Sequence, residues 1–189
     1  MKTELIFSNP SILAALEVAS TKKDDRQYLN GILFTDQWAV ATDGYTLLAY
    51  NHQQSVEKDV IAPVSLFSKL VKRQQVQIAI EDDKITVTQN NTTKTDSAID
   101  GKYPDWRRLF PATLTGETAQ FSAKIYEKLC KICKLLEPKA DEHVPYIHHN
   151  GSNAAVVSFA DNAFLGLAMP YNTGDKVPEY CPPRIQSNP

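Results

Sequence analysis

The chain has 189 residues, of which 42% are hydrophobic, and this allows one large or two small globular domains with a real core. Its formal net charge of −2 argues against a protein that holds nucleic acid by bulk electrostatics, although a local basic stripe is compatible with it. Three cysteines, an odd number, favour a reducing cytoplasm over a disulfide framework. No apolar run approaches the roughly 20 residues of a transmembrane helix, and Met1–Glu4 does not begin a signal peptide. These properties predict a soluble cytoplasmic protein with no membrane partner.

Three segments have the apolar spacing of helices. The first begins at Asn9-Pro10, where a capping residue precedes a proline that the first helical turn tolerates. The second is predicted to begin near Pro63, with apolar residues at 66, 67, 70 and 71 on one side. The third runs from about Ser122 to Glu137, and Pro138 stops it.

Runs rich in β-branched and aromatic residues lie between these helices and are predicted strands. They are Gly31–Phe34, Trp38–Ala41, Tyr45–Tyr50, Val76–Ile80, Ile85–Thr88, Tyr146–His149, Ala155–Phe159 and Phe164–Met169. The regular spacing of the helices indicates one helix-plus-strands unit used three times. Two units are predicted to form a complete domain at 1–111 and the third a half domain at 112–171. Residues 172–189, rich in proline, are predicted to be an extended or disordered tail.

Four segments of the chain carry a resemblance to a known family. They are Tyr28–Phe34 (YLNGILF), Ala41–Leu47 (ATDGYTL), Asp100–Leu109 (DGKYPDWRRL) and Leu167–Pro170 (LAMP). In this order they resemble the middle and last domains of the bacterial DNA polymerase III beta subunit, the sliding clamp. The resemblance covers nearly all of residues 4–111 and resumes for about 118–171, which matches only the second half of a last domain. It implies an α+β, DNA-clamp-like fold of repeated β-α-β-β-β units, in which three units make one complete domain and a half domain.

The resemblance also implies a binding surface. In the family these segments surround a hydrophobic cleft into which polymerases and other replication or repair proteins insert a short peptide. Matched by motif, the peptide-binding residues here are Leu29, Thr42, Gly44, Tyr45, Leu47, Pro104, Arg108, Leu109, Leu167, Met169 and Pro170. Two positions depart from the family pattern, because Thr46 stands where arginine is usual and Tyr171 replaces a second methionine. Alternatively these residues are only core and turn residues, and the chain is a scaffold with an inactive cleft.

The resemblance implies a non-catalytic protein of DNA replication that is related to processivity factors and needs no cofactor. Its expected partners are DNA polymerase III and other clamp-binding replication or repair proteins, recognised through short peptides. Two roles stay open: a compact clamp that assembles as a homo-oligomer through new surfaces, or a competitor for the partners of a full-length clamp. The family's first domain has no counterpart here, so closure of a ring in the usual way is not expected.

A lysine stripe on the third predicted helix suggests contact with DNA. Lys124, Lys128, Lys131 and Lys134 recur at helical spacing and therefore share one side. Clamps line their central hole with such helix faces, so the resemblance implies contact with phosphates. With a net charge of −2 and no closed ring, this contact is expected to be weak and salt-sensitive. The expected DNA-facing set is Arg26, Tyr28, Lys69, Lys72, Arg73, Lys124, Lys128, Lys131 and Lys134. The alternative is an ordinary solvated lysine face.

One pattern is typical of enzymes. Cys130-Lys131-Ile132-Cys133 has zinc or redox spacing, and His143, His148 and His149 follow in the sequence. The pair falls in the middle of a predicted helix, however, with Cys133 on the apolar side, and no second such pair is present. We therefore predict neither a metal site nor catalysis, and keep a zinc- or thiol-dependent enzyme using Cys130 and Cys133 as the alternative.

Overall fold

A computed structural model describes residues 2–19, 25–71 and 74–171, with the side chain of Asn9 excepted. The elements in chain order are β1 (Lys2–Phe7), α1 (Asn9–Val18), β2 (Gly31–Thr35), β3 (Trp38–Thr42), β4 (Thr46–Asn51), β5 (Val60–Pro63), β6 (Val76–Glu81), β7 (Lys84–Gln89), β8 (Thr92–Ser97), α2 (Ala123–Leu136), β9 (Tyr146–His148), β10 (Ala155–Ser158) and β11 (Phe164–Ala168). Short 3₁₀ helices occupy Gln27–Asn30, Val64–Phe67 and Trp106–Leu109. The predicted tail at 172–189 lies outside the described residues.

The first and third predicted helices are confirmed. α1 has its proline in the first turn, but the residue that precedes the helix is Ser8, in extended backbone, and not Asn9 as the sequence suggested. α2 follows Ser122 and buries one side, through Ile125, Leu129, Ile132 and Cys133. The opposite side of α2 is polar, so this helix covers the sheet with one face and meets solvent with the other.

The second predicted helix is wrong. Only the 3₁₀ helix Val64–Phe67 forms, and it buries Leu66 and Phe67 in a single turn. Both the amide and the hydroxyl of Ser68 bond to the carbonyl of Ser65, and Lys69 then takes a positive φ of 63°. The side chain of Gln89 satisfies the backbone amide and carbonyl of Val71, which would otherwise need helical partners. At Val71, hydrogen bonds to the side chain of a residue distant in sequence thus take the place of helical backbone hydrogen bonds.

The first two units exchange strands. One sheet has the order β1-β6-β7-β8, and the other begins β5-β2-β3-β4. The leading strand of each unit therefore pairs with the second strand of the other unit, as Lys2 opposite Glu81 and Gly31 opposite Pro63 illustrate. This reciprocal pairing joins the two units through both sheets.

The third unit extends the second sheet to seven strands, because β11 pairs antiparallel with β4 and the order continues β11-β10-β9. Alternate residues of the sheet face opposite sides. Ile32 and Phe34 belong to the larger core, which also contains the buried sides of α1 and α2. Leu33 faces the other way, into a smaller core that includes Trp106 of the segment between the second and third units.

The eight predicted strands are confirmed within one residue at each end. Three further strands, β1, β5 and β8, escaped the sequence analysis. β8 reads Thr-Thr-Lys-Thr-Asp-Ser and is almost wholly exposed, so it has no apolar alternation to reveal it. Within the described ranges, no helix is both long and apolar enough to cross a membrane.

Candidate functional site

A small apolar cavity lies at the seam where the third unit joins the first. Its volume is about 150 Å³. The lining residues come from the β3–β4 loop, from β4, from the ends of β10 and β11, and from the 3₁₀ helix Trp106–Leu109: they are Thr42, Gly44, Tyr45, Thr46, Leu47, Leu109, Ala154, Leu167 and Met169. We call this cavity and its rim the seam cleft.

The seam cleft has a buried floor and an exposed apolar rim. Leu47 and Leu167 are opposite each other in the β4–β11 ladder, and both are buried. Around them the side chains of Tyr45, Leu109 and Met169 are 67%, 51% and 42% exposed. Large apolar side chains gathered around a concave apolar floor are typical of a surface that binds another apolar group.

Hydrogen bonds fix the β3–β4 loop, which forms one wall. The Thr42 hydroxyl donates to the Thr46 carbonyl (2.7 Å) and accepts from the Gly44 amide (3.0 Å). Gly44 has a φ of 88°, a conformation that glycine adopts without strain. The Met169 amide donates to the Tyr45 carbonyl (2.8 Å), which ties this loop to the end of β11. Backbone hydrogen bonds therefore hold both the β3–β4 loop and the end of β11.

Aromatic rings in tilted and edge-to-face contact position the wall that contains Leu109. Trp106 is buried, with its ring centre 5.4 Å from that of Trp38 on β3. Tyr103 lies 5.6 Å from Tyr28 between ring centres, and burial, followed by the charge of Tyr28, raises the pKa of the Tyr103 phenol. These contacts hold the connecting segment across the outer face of the sheet and present Leu109 to the cleft.

Seven of the eleven peptide-binding residues expected from the sequence line the seam cleft: Thr42, Gly44, Tyr45, Leu47, Leu109, Leu167 and Met169. The other four do not line it. Leu29 is buried in its 3₁₀ helix, Pro104 and Pro170 are not among the lining residues, and Arg108 pairs with Asp105 at 2.9 Å on the surface. Thr46 and Ala154 were not in the expected set. Ala154 follows the turn after β9 in a segment without apolar periodicity, so no sequence signal pointed to it.

Comparison with known proteins gives a family for this chain. The family model for the central domain of the DNA polymerase III beta subunit matches residues 9–105, just over half of the sequence. The chain belongs to this family. The beta sliding clamp of Vibrio cholerae is 30% identical over 112 residues, which are 53% of this chain and 31% of that protein. That of Haemophilus influenzae is 28% identical over 116 residues, 55% of this chain and 32% of that protein. The matched part thus spans about a third of the length of these sliding clamps.

The fold is also that of the DNA polymerase III beta subunit. The subunit from Borrelia burgdorferi, solved in complex with a natural product, has a TM-score of 0.66 at 18% identity. The alignment covers 91% of this chain and 65% of the Borrelia subunit. It therefore extends beyond the central domain and over the third unit. The α+β clamp fold expected from the sequence is confirmed.

The lysines of this clamp-family chain do not all face solvent alike. Lys124 and Lys134 are exposed on α2, and Lys131 is exposed but pairs with Glu127 at 3.0 Å. Lys128 is different, because its ammonium contacts the carboxylate of Asp43 and its side chain is only 21% exposed. The stripe therefore presents fewer free charges to a phosphate backbone than helical spacing alone suggested.

The rest of the expected DNA-facing set is dispersed. The Tyr28 ring packs on the outer face of the sheet, whereas α2 covers the inner face. The Arg26 guanidinium lies over the β3–β4 loop, 3.3 Å from where a Cβ on Gly44 would be. Lys69 sits after the 3₁₀ helix, beside a separate cavity, because the helix expected to carry it does not form. Lys72 and Arg73 lie outside the described residues.

Cys133 has the properties of a core residue, whereas Cys130 is only partly buried. Cys133 is buried on α2, and burial, followed by the charges of Cys130 and Glu137, raises the pKa of its thiol to about 11. A thiol of that kind stays protonated at neutral pH and is a poor nucleophile. His148 bonds to the Ser158 hydroxyl (2.8 Å), while His149 accepts the Ala119 amide (3.0 Å). No metal-binding group of three or more His, Cys, Asp or Glu side chains occurs within the described ranges.

Proposed function

We propose that this chain is a non-catalytic, sliding-clamp-like protein that binds short peptides of replication or repair proteins in the seam cleft. The observation that carries the proposal is the apolar rim of Tyr45, Leu109 and Met169 around a buried leucine floor. Family membership supports it, because the relatives are beta sliding clamps. The natural product held by the Borrelia subunit is a further reason to expect ligand binding in this fold. On this proposal the chain acts in the cytoplasm, beside DNA polymerase III and its accessory proteins.

The size of the cleft sets the expected affinity. A cavity of about 150 Å³ accommodates one apolar side chain, and a second anchor can lie against the exposed Tyr45 or Met169. Burial of each leucine or phenylalanine anchor contributes about 1.5–3 kcal/mol. Ordering a flexible peptide offsets part of this gain, so a peptide with two anchors should bind with a dissociation constant in roughly the micromolar range.

A secondary association with DNA is proposed from one observation. Lys124 and Lys134 are exposed on the solvent side of α2. Neither lysine forms a salt bridge with another described residue, so each can approach a phosphate group without breaking one. With two such charges and a net charge of −2, retention on duplex DNA should be weak and should disappear as salt is raised.

The proposal is tested by titrating the protein into a fluorescent peptide that carries one leucine and one phenylalanine anchor. We expect saturable binding, and about tenfold weaker binding by Tyr45→Ser and by Met169→Ser, since each removes roughly 1.4 kcal/mol of apolar contact. Tyr146→Ser is the matched control, because Tyr146 is 60% exposed on β9 and is not part of the seam cleft. Absence of saturable binding, or an equal loss in the control, would refute the peptide-binding role and leave a scaffold with an inactive cleft.

A further inference from the structure

One carboxylate organises the β3–β4 loop of the seam cleft. Oδ1 of Asp43 accepts hydrogen bonds from the Tyr45 amide (3.0 Å) and the Thr46 amide (2.8 Å). Oδ2 contacts the ammonium of Lys128, which reaches the loop from α2, 85 residues further along the chain. A single side chain thus closes the turn of the loop and ties it to the third unit.

The Lys128–Asp43 pair is less exposed than the other ion pairs of the described residues. Its side chains are 21% and 22% exposed, whereas those of Lys131 and Glu127 are 54% and 67% exposed. Exposed pairs contribute little because water and salt screen them, while a partly buried pair is screened less and keeps its geometry. Loss of the Lys128 ammonium would leave the Asp43 carboxylate partly buried without its counter-charge, and such a carboxylate would move toward water.

Movement of Asp43 would change the cleft directly. The two amides that its carboxylate holds belong to Tyr45, on the rim, and Thr46, in the lining. The Tyr45 carbonyl also accepts the Met169 amide, so a displaced loop would also affect Met169 at the end of β11. We propose that Lys128 is a positioning residue for the seam cleft, which it preorganises through Asp43, and not a phosphate contact of the lysine stripe. This inference rests on the proposed peptide-binding function.

The test uses the full chain and follows the loop itself as well as the ligand. Lys128→Met should speed hydrogen exchange of the Tyr45 and Thr46 amides and weaken binding of the fluorescent peptide about 3- to 10-fold, because preorganisation of the loop is lost. Lys128→Arg, which keeps the charge, should retain most of the affinity. Lys58→Met is the matched control, since it removes the same charge from an exposed pair with Asp83 (3.1 Å) and should change neither quantity.

A double-mutant cycle separates positioning from general destabilisation. Asp43→Asn keeps an oxygen that can accept the two loop amides but loses the charge that Lys128 contacts. If the pair acts as one unit, Asp43→Asn combined with Lys128→Met should bind peptide no more weakly than the worse single variant. Additive losses, or unchanged amide exchange in Lys128→Met, would overturn the inference.

Failure of the proposed function and failure of this inference give different results. If the wild-type protein binds no peptide, faster exchange of the Tyr45 and Thr46 amides in Lys128→Met still supports the positioning role. Retention on duplex DNA at low salt provides the second comparison. Lys124→Met should reduce it, whereas Lys128→Met should not, because its ammonium is already paired. Reduced DNA retention in Lys128→Met with unchanged loop exchange would make Lys128 a phosphate contact and contradict the proposal.

Discussion

Leu47 lies directly opposite Leu167 where β4 pairs with β11, and the two side chains are 3% and 4% exposed. They join the third unit to the first and form the floor of the seam cleft. We expect Leu167→Ala to lower the free energy of unfolding by about 2–5 kcal/mol, the usual cost of a cavity at a fully buried leucine. Denaturant unfolding measures this loss.

Leu165 provides the control for that measurement. It lies on the same strand and the same side of the sheet, opposite Ala49, but is only partly buried. Leu165→Ala should therefore cost distinctly less than Leu167→Ala. Equal losses at the two positions would mean that the seam is not packed more tightly at the cleft than at its far end.

Gly31 is a second closely packed position, and neighbouring atoms leave no room there for a side chain. A Cβ at this position would lie 2.4 Å from Cγ2 of Ile61 and 2.9 Å from the Ala62 carbonyl oxygen on β5. The backbone oxygen cannot move without breaking the β2–β5 ladder, so Gly31→Ala should destabilise the fold by about 1–3 kcal/mol, as overpacking usually does. Thermal or denaturant unfolding will measure this loss of stability. Gly101→Ala is the matched control, because nothing lies within 4 Å of a Cβ there, and it should leave stability nearly unchanged.

Local patterns in the sequence predicted most of the fold. β2 and β3 are short continuous apolar runs and α2 has helical apolar periodicity, and these patterns predicted the bounds of all three. The helix predicted near Pro63 does not form beyond one 3₁₀ turn, and the backbone of Val71 bonds instead to the side chain of Gln89, which is distant in sequence. Periodicity reports which residues are buried, and it cannot report a side chain that satisfies a remote backbone group.

The sequence predicted those site residues that belong to short motifs of the family. The resemblance carried by the ATDGYTL and LAMP segments implied that Tyr45 and Met169 belong to the cleft, and both line the seam cleft. Leu29 belongs to an equally specific motif but is buried, because a motif match does not tell which side of a chain faces the cleft. The contact of Lys128 with Asp43 depends on how α2 is placed against the sheet, and helical spacing alone suggested a DNA-facing role instead.

Thr46 offers a test of a buried hydroxyl. Its side chain is 2% exposed, lines the seam cleft, and its Oγ1 has no hydrogen-bond partner within the described ranges. Because an unsatisfied buried hydroxyl costs free energy, Thr46→Val should raise the free energy of unfolding by about 1 kcal/mol. It should also bind the fluorescent peptide at least as tightly, since valine extends the apolar lining.

Thr42 is the natural comparison for Thr46. Its hydroxyl is also buried but donates to the Thr46 carbonyl and accepts from the Gly44 amide. Thr42→Val should therefore lower the free energy of unfolding by about 1–3 kcal/mol, because the Gly44 amide loses its acceptor and the Thr46 carbonyl keeps only the Asp43 amide, at 3.3 Å. Opposite signs for the two threonines are the expected result. Destabilisation by Thr46→Val would show that its hydroxyl bonds to water or to the loop in solution.

His52 should make the stability of this protein depend on pH. It is buried beside Phe7, with ring centres 5.3 Å apart, and its Nδ1 accepts the Gln54 amide at 3.1 Å. Burial lowers the pKa of His52 below its ordinary value of 6.5, and this effect outweighs the opposing backbone contacts and the charge of Asp36. The unfolded chain therefore binds a proton more readily than the folded chain in the range just below pH 6.5.

The lower pKa of His52 in the folded state determines how stability changes with pH. The contribution of His52 to stability is fully present above pH 6.5, where the side chain is neutral in both states, and is lost as pH falls toward its folded pKa. The free energy of unfolding should decline over this range with a slope of up to about 1.4 kcal/mol per pH unit from this residue. His52→Gln, which can still accept the Gln54 amide, should flatten the slope in denaturant titrations repeated at several pH values. An unchanged slope in this variant would assign the pH dependence to other groups.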